Sequence, residues 1–334
     1  MENIGFFDSK PARKAYSGIG WSLCAILASL LAVQLLLQFL LHTFWPDGCW
    51  LTESSYGKWI LTFAPQYLIA IPIGLLLLRR IPAAPPQPVT MGAENFWIFL
   101  PICFCLTYAG NIVGNLLSSL LSGGEAENVL NEFAMDSNPI KILFVAVLAP
   151  LIEEYVFRKQ IIDRTRAYGE QSAVFLSALT FGLFHVNLFQ FFYAFLVGWV
   201  FGYIYIRTGK LRYPVILHSI VNFMGSVVAP FVLSMLDLEA LSNIDPNATN
   251  EEILALYGSM LPGLLLYFLY ATILLGLSVT GAVFLIMQCK KLIWRNTEAQ
   301  LPSGTQVKTA YLNAGMLVFL ILCLALTIRS VLTL

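Results

Sequence analysis

Long apolar runs separated by short polar stretches make up most of the chain. Runs able to cross a hydrocarbon core of about 30 Å, which takes about 20 helical residues, fall at about 18–44, 59–78, 96–122, 140–157, 213–235, 260–289 and 310–331. Between the fourth and fifth lies 171–206, apolar throughout except for His185, Asn187 and Gln190. Those polar residues read as a tight turn joining two shorter helices. The pattern therefore predicts an all-α fold, a polytopic transmembrane helix bundle of about nine spans. The first run, beginning near Gly18, is too long for a signal-peptide core and no small-residue cleavage site follows it. It is expected to be a retained span.

Charge sets the expected orientation, because cytoplasmic loops near span ends are enriched in Lys and Arg. With the N-terminus inside, sixteen of the nineteen Lys and Arg residues fall on the cytoplasmic side, leaving Lys58, Lys141 and Arg329 outside. The outer loops are then acidic, with Glu125, Glu127, Glu132 and Asp136 in one and Asp237, Glu239, Asp245, Glu251 and Glu252 in another. The expected placement is a multi-pass protein of the plasma membrane with a cytoplasmic N-terminus and an outer C-terminus. Pro82, Pro85, Pro86 and Pro88 cannot continue a helix and predict an extended cytoplasmic linker before the third span. Gly110 with Gly114, and Gly198 with Gly202, have the spacing of close helix packing. Asn247-Ala248-Thr249 matches a glycosylation acceptor, a tripeptide common by chance.

Composition agrees: 58% hydrophobic and 11% charged residues with a mean hydropathy of +0.76 depart from soluble composition, in which about a quarter of residues are charged. Zero formal net charge and no run of Lys or Arg longer than two residues leave no basic surface for nucleic acid. The expected partners are the lipid bilayer and a peptide or membrane-protein substrate. The six cysteines are scattered, mostly in apolar runs, and read as packing residues rather than a disulfide framework.

Ionisable residues inside spans are costly and usually face a protein-lined or wet cavity. Glu153 and Glu154 end an apolar run, with Arg158 four residues beyond Glu154. On a helix Glu154 and Arg158 share a face and can pair, while Glu153 is turned about 100° away. Both carboxylates could alternatively mark the interfacial end of a span. Two of the three histidines, His185 and His218, follow in the next segments, and Asn222 lies four residues after His218 on the same face. His42, at the outer end of the first span, reads as incidental. An imidazole and a carboxamide projecting together suit oxyanion stabilisation or ligand binding, although an asparagine in a span can equally be a hydrogen-bond link between helices.

Glu153-Glu154-Tyr155-Val156-Phe157-Arg158 fits EExxxR, Phe181-Gly182-Leu183-Phe184-His185 fits FxxxH, and His218-Ser219-Ile220-Val221-Asn222 fits HxxxN. In that order within a membrane protein they resemble the three motifs of the CAAX protease and bacteriocin-processing (CPBP) family, which includes type II CAAX prenyl endopeptidases. The resemblance covers about 140–225 and no motif position departs from the pattern. It implies a four-helix catalytic core at 140–235, flanked by N-terminal spans and linker (1–139) and by an outer loop with C-terminal spans (236–334). It further implies a membrane-embedded endopeptidase in which Glu153 and His185 activate water, His218 and Asn222 stabilise the oxyanion, and Glu154 with Arg158 holds the helix and the base in place. Family members are commonly labelled metalloproteases, and Glu153, His185 and His218 could supply the three ligands of a catalytic zinc. The chain has no HExxH helix, and a tightly bound metal is expected not to be required.

Competing readings are a non-catalytic scaffold or regulator of the same fold and a proton-coupled transporter. No motif residue is lost, which counts against the first, and no internal repeat of the transporter kind is present, which counts against the second. Counting about 1.5 Å per residue from the cytoplasmic ends, Glu153 and His218 lie about 8 Å deep and His185 about 20 Å deep. They can meet only if the helix ending near His185 starts deeper, tilts or forms a hairpin that does not cross fully. A water-accessible cavity opening towards the cytoplasm is expected.

Overall fold

The computed structural model describes residues 9–125, 135–245, 248–297 and 299–332. Glu127, Glu132 and Asn247 lie outside the described residues. All regular structure among the described residues is helical. The principal helices are α1 (Lys10–Phe44), α2 (Ser55–Leu78), α3 (Ala93–Ser122), α4 (142–165), α5 (Glu170–Phe184), α6 (Leu188–Thr208), α7 (Arg212–Leu233), α8 (Leu261–Cys289) and α9 (Ala314–Leu332). Seven of them are long and apolar enough to cross a membrane. The two that fail are α4, which carries Glu153, Glu154, Arg158, Lys159 and Asp163, and α5, whose 15 residues reach only about 22 Å. Both carry expected site residues.

Three helices share a device that follows from proline chemistry. The N–H groups of Ile71, Ala149 and Ala229 each bond five residues back, to Gln66, Phe144 and Met224, and in each case the next residue is a proline. Proline has no N–H and its ring crowds the carbonyl four residues before it, so widening the preceding turn into π register lets the helix continue.

Small residues set the packing of the site helices, as their spacing suggests. A Cβ on Gly110 of α3 would lie 2.4 Å from the backbone nitrogen of Tyr193 on α6, and one on Gly114 would lie 2.8 Å from the Phe189 carbonyl oxygen. On the opposite side of α6, Gly198 and Gly202 face Phe181 and Val174 of α5. Thus α6 is clamped between α3 and α5.

The end of the bundle that gathers most of the Lys and Arg residues is closed by hydrogen bonds. The proline-rich linker is extended, as predicted, and is held along its length: Ala84 N–H donates to the Asp163 carbonyl at 2.6 Å and Val89 N–H to the Thr208 carbonyl at 2.7 Å. Arg166 donates to the carbonyls of Ala84 and Pro85, and Arg164 to those of Leu78 and Gln160. Glu170 accepts from Arg207 and from the backbone N–H of Arg295, while Thr297 donates to the Ala167 carbonyl. This end departs from expectation in one respect: α4 runs to Thr165 rather than stopping near 157. Glu154, Arg158, Asp163 and Arg164 are buried and hydrogen-bonded, so they do not mark a membrane surface, and Glu153 sits near the middle of the helix.

Candidate active site

The EE pair of α4 divides as adjacent helical positions must. Glu154 is turned fully inward, and Arg158, also fully buried, donates from Nε to its Oε2 at 2.8 Å and from Nη2 to its Oε1 at 3.2 Å. Arg158 Nη1 reaches the hydroxyl of Ser177 at 3.1 Å, which donates onward to the Phe157 carbonyl, and the guanidinium lies 4.5 Å from the centre of the Phe181 ring. A buried ion pair is tolerated only when its remaining donors and acceptors are satisfied in this way. Glu153 points the other way, into a cavity, with 18% of its side chain exposed.

His218 of α7 bridges the two carboxylates. Its Nδ1 lies 3.0 Å from Glu154 Oε1 and its Nε2 3.8 Å from Glu153 Oε2. Because an ionised carboxylate only accepts, Nδ1 carries a proton, and Nε2 is the position facing Glu153. His185, at the end of α5, has Nδ1 2.8 Å from the Phe181 carbonyl oxygen. A carbonyl too can only accept, so in the neutral ring Nε2 is left as the basic nitrogen. Phe181 meets both rings edge-on, at 5.0 Å from His185 and 5.8 Å from His218, and Phe201 stacks on His218 at 5.3 Å. The imidazoles are thereby fixed by aromatic packing as well as by hydrogen bonds.

The turn foreseen at His185–Gln190 is a hairpin between α5 and α6. Val186 takes φ +45°, costly for a β-branched residue, and the Asn187 side chain accepts the Phe189 N–H at 2.8 Å to cap α6. This irregular backbone lines the cavity, the setting in which such backbone survives at membrane depth. Asn222 donates from Nδ2 to the Val145 carbonyl at 3.0 Å. In the π register of α4 that carbonyl faces Pro150, which has no N–H, so the asparagine answers an acceptor that the proline leaves over. One amide hydrogen of Asn222 is spent there, leaving the second for the cavity.

Glu153, His185, His218 and Asn222 all line one cavity of about 480 Å³, the convergence that their three stretches of chain require. Its direction is the reverse of expectation. The wall runs from Phe157 and Phe201 past the site to Gln34 of α1, Trp59 and Thr62 of α2, Lys141 at the head of α4 and Leu326 of α9. These lie towards the helix ends opposite the basic end. The C-terminal half of α4 and the linker fill the basic end of the bundle, so the cavity extends away from the end that the charge bias marks as cytoplasmic.

The three groups named as zinc ligands do not come together as a ligand set: among the described residues no three His, Cys, Asp or Glu side chains are placed to hold one ion. The Nδ1 atoms of His185 and His218 are also already engaged. Sequence reasoning missed Gln34, Gln66, Thr107 and Tyr193 in the cavity wall. Isolated polar residues within apolar spans were the available signal, and the buried Thr107 hydroxyl, which has no hydrogen-bond partner, is its clearest instance.

Residues 136–224 match the family model for type II CAAX prenyl endopeptidase Rce1-like proteins. The chain is 30% identical over 162 residues to the membrane-embedded CAAX protease MroQ of Staphylococcus aureus, a match covering 46% of this chain and 63% of MroQ. It is 24% identical over 179 residues to the putative membrane peptidase YdiL of Bacillus subtilis, covering 50% of this chain and 70% of YdiL. With CAAX prenyl protease 2 of Arabidopsis thaliana it shares 29% identity over 157 residues, 36% of this chain and 50% of the relative. Over this stretch the chain is similar to CAAX proteases, and it spans less than two thirds of the length of MroQ and half that of the Arabidopsis relative. All three CPBP motifs fall inside the matched stretch, whereas Leu27, Gln34, Gln66, Thr107 and Leu326 bring walls to the cavity from outside it. No solved structure matches the chain.

Proposed function

We propose that this protein is an intramembrane endopeptidase that hydrolyses a peptide bond of a membrane-associated peptide or protein at Glu153. The observation that carries the reading is the His218 ring set between both carboxylates of the EE pair, on the wall of a cavity shared with His185. Glu153 and the free Nε2 of His185 take protons from the attacking water, and donors aimed at the developing oxyanion stabilise the tetrahedral state. For His218 to be such a donor from Nε2, its ring must carry both protons, with Glu153 and Glu154 as counter-ions on its two sides. Asn222 adds its second amide hydrogen. Glu154 and Arg158 do not touch substrate; they hold the His218 ring in one orientation and α4 in one rotation. No step is routed through a metal. The N-terminus is placed in the cytoplasm of a cell whose plasma membrane holds the protein.

The test is cleavage of a peptide panel by detergent-purified wild type, Glu153→Ala and His185→Ala, each with and without chelator. Loss of about 10²–10⁴-fold for either variant with unchanged unfolding is expected, and no loss with chelator. Full activity in both variants would remove the mechanism. Sensitivity to chelator would install a metal in it. Solute transport without hydrolysis would favour a carrier, and absence of both activities a scaffold.

A further inference from the structure

We propose that one face of α1 is a track that carries an extended peptide substrate to Glu153, with the side-chain amides of Gln34 and Gln38 paired to its backbone. The inference rests on the peptidase reading and defines how its substrate is held. A second pocket, of about 410 Å³, shares Gln34 with the active-site cavity. From Gln34 the wall continues through Leu31, Leu30 and Leu27 in one direction and through Gln38 and His42 in the other. Their spacing of three and four residues puts all six on one face of the helix. The two pockets are therefore successive stretches of a single groove.

The groove is built into the packing. At its closed end α1 and α2 touch: a Cβ on Gly74 would lie 2.2 Å from Ile26 Cγ1 and 3.1 Å from the Ser22 carbonyl oxygen. Farther along, the groove separates them, with Thr52 and Leu61 on its far wall. Gln34 and Gln38 interrupt an otherwise apolar run from Leu30 to Leu41. Among the described residues no protein group pairs with either side-chain amide. An amide without a partner at membrane depth is costly, so the groove suits an occupant that forms hydrogen bonds. An acyl chain cannot do so. A peptide backbone can, because each residue offers an N–H and a carbonyl, and a glutamine amide both donates and accepts.

Spacing turns this into a substrate rule. Gln34 and Gln38 stand one helical turn apart, about 6 Å along the axis. Peptide groups on the same side of an extended chain recur every second residue, about 6.6 Å. The two amides thus meet alternate residues of a chain lying along α1, while Leu27, Leu30 and Leu31 take its apolar side chains. From Leu27 to His42 the track is about 22 Å long, the reach of about seven extended residues. A fitting substrate is extended, not helical, and apolar over as many as about seven residues on one side of the cleaved bond.

The experiment uses detergent-purified full-length protein and apolar fluorogenic peptides lengthened one residue at a time on either side of the cleaved bond. Each long peptide has counterparts N-methylated at alternate residues in either phase, and one in which an alkyl tail of equal length replaces the extension. In wild type, extension on one side is expected to raise kcat/KM about tenfold, through KM, and to add nothing beyond about seven residues. N-methylation should remove the gain in one phase and spare it in the other. Gln38→Leu, unfolding as wild type does, should erase most of the gain while cutting the shortest peptides at the wild-type rate, and Gln34→Leu should erase it too. An equal gain in wild type and both variants overturns the inference alone, as does an equal loss on short and long peptides, the mark of glutamines that serve only hydration or packing. An alkyl tail that gives the same gain also overturns it and makes the groove a lipid slot. So does a wild type that cuts short peptides and gains nothing from length. Wild type that cuts no peptide overturns the peptidase reading and this inference with it.

Discussion

At the basic end of the bundle, polar groups answer one another. Arg164 and Arg166 take up carbonyls left by the end of α2 and by the proline-rich linker, and Glu170 is shared between Arg207 and the backbone of Arg295. At the cavity end, Glu153, Asn222 and Thr107 keep hydrogen-bonding capacity in hand. The same lipid environment penalises unsatisfied polar groups at both ends. The difference is that one end is finished within the chain, whereas the other is completed by water and substrate. Glu154 and Glu153, adjacent in sequence, stand on the two sides of that divide.

The largest effect that would sharpen the contrast is on the finished side. Arg158→Leu leaves Glu154 buried without its partner and should lower stability by about 3–5 kcal/mol, whereas replacing Glu154 and Arg158 together by apolar residues should recover much of it. Thermal unfolding in detergent measures both. An Arg158→Leu protein as stable as wild type would show that the pair is not the closed, dry unit described here.

How much of this was legible in the sequence follows the same division. The helices, the α5–α6 turn and the glycine contacts were readable, because apolar period, turn chemistry and small-residue spacing are local signals, whereas the meeting of Glu153, His185, His218 and Asn222 in one cavity was implied by the resemblance of their motifs. The extent of α4 was not readable. Charges usually mark a membrane surface, and only the coordinates place Tyr205 against Asp163, or the Leu78 carbonyl against Arg164, so that the helix can carry them inward. The cavity's direction was lost with it, since depth was counted from an end placed about eight residues too early in that helix. A freed carbonyl near Pro150 was foreseeable. That Asn222 would answer it was not, because nothing in either stretch names the other.

A smaller effect tests that link. Asn222→Ala should cost about 1–3 kcal/mol of stability, by leaving the Val145 carbonyl unpaired. Pro150→Ala restores an N–H to α4, so in that background the stability cost of Asn222→Ala should shrink by about 1 kcal/mol. Loss of cleavage should persist in both backgrounds if the second amide hydrogen serves the oxyanion. Equal stability costs in the two backgrounds would separate the proline from the asparagine.

The smallest expected effect concerns Asp136, a finished group at the unfinished end. Burial pushes its carboxyl up, but the Ser55 hydroxyl, the Asn138 N–H, the Trp59 indole and the Lys141 charge together outweigh this and hold it below the usual carboxylate range. A carboxyl depressed in the folded state adds stability that is complete above its unfolded value, about 3.9. That stability is lost as pH falls through the lower folded value. Asp136→Asn should therefore be less stable than wild type near neutral pH, with the gap closing under acid. If the gap persists unchanged to pH 3, the contribution of Asp136 is one of shape and not of charge.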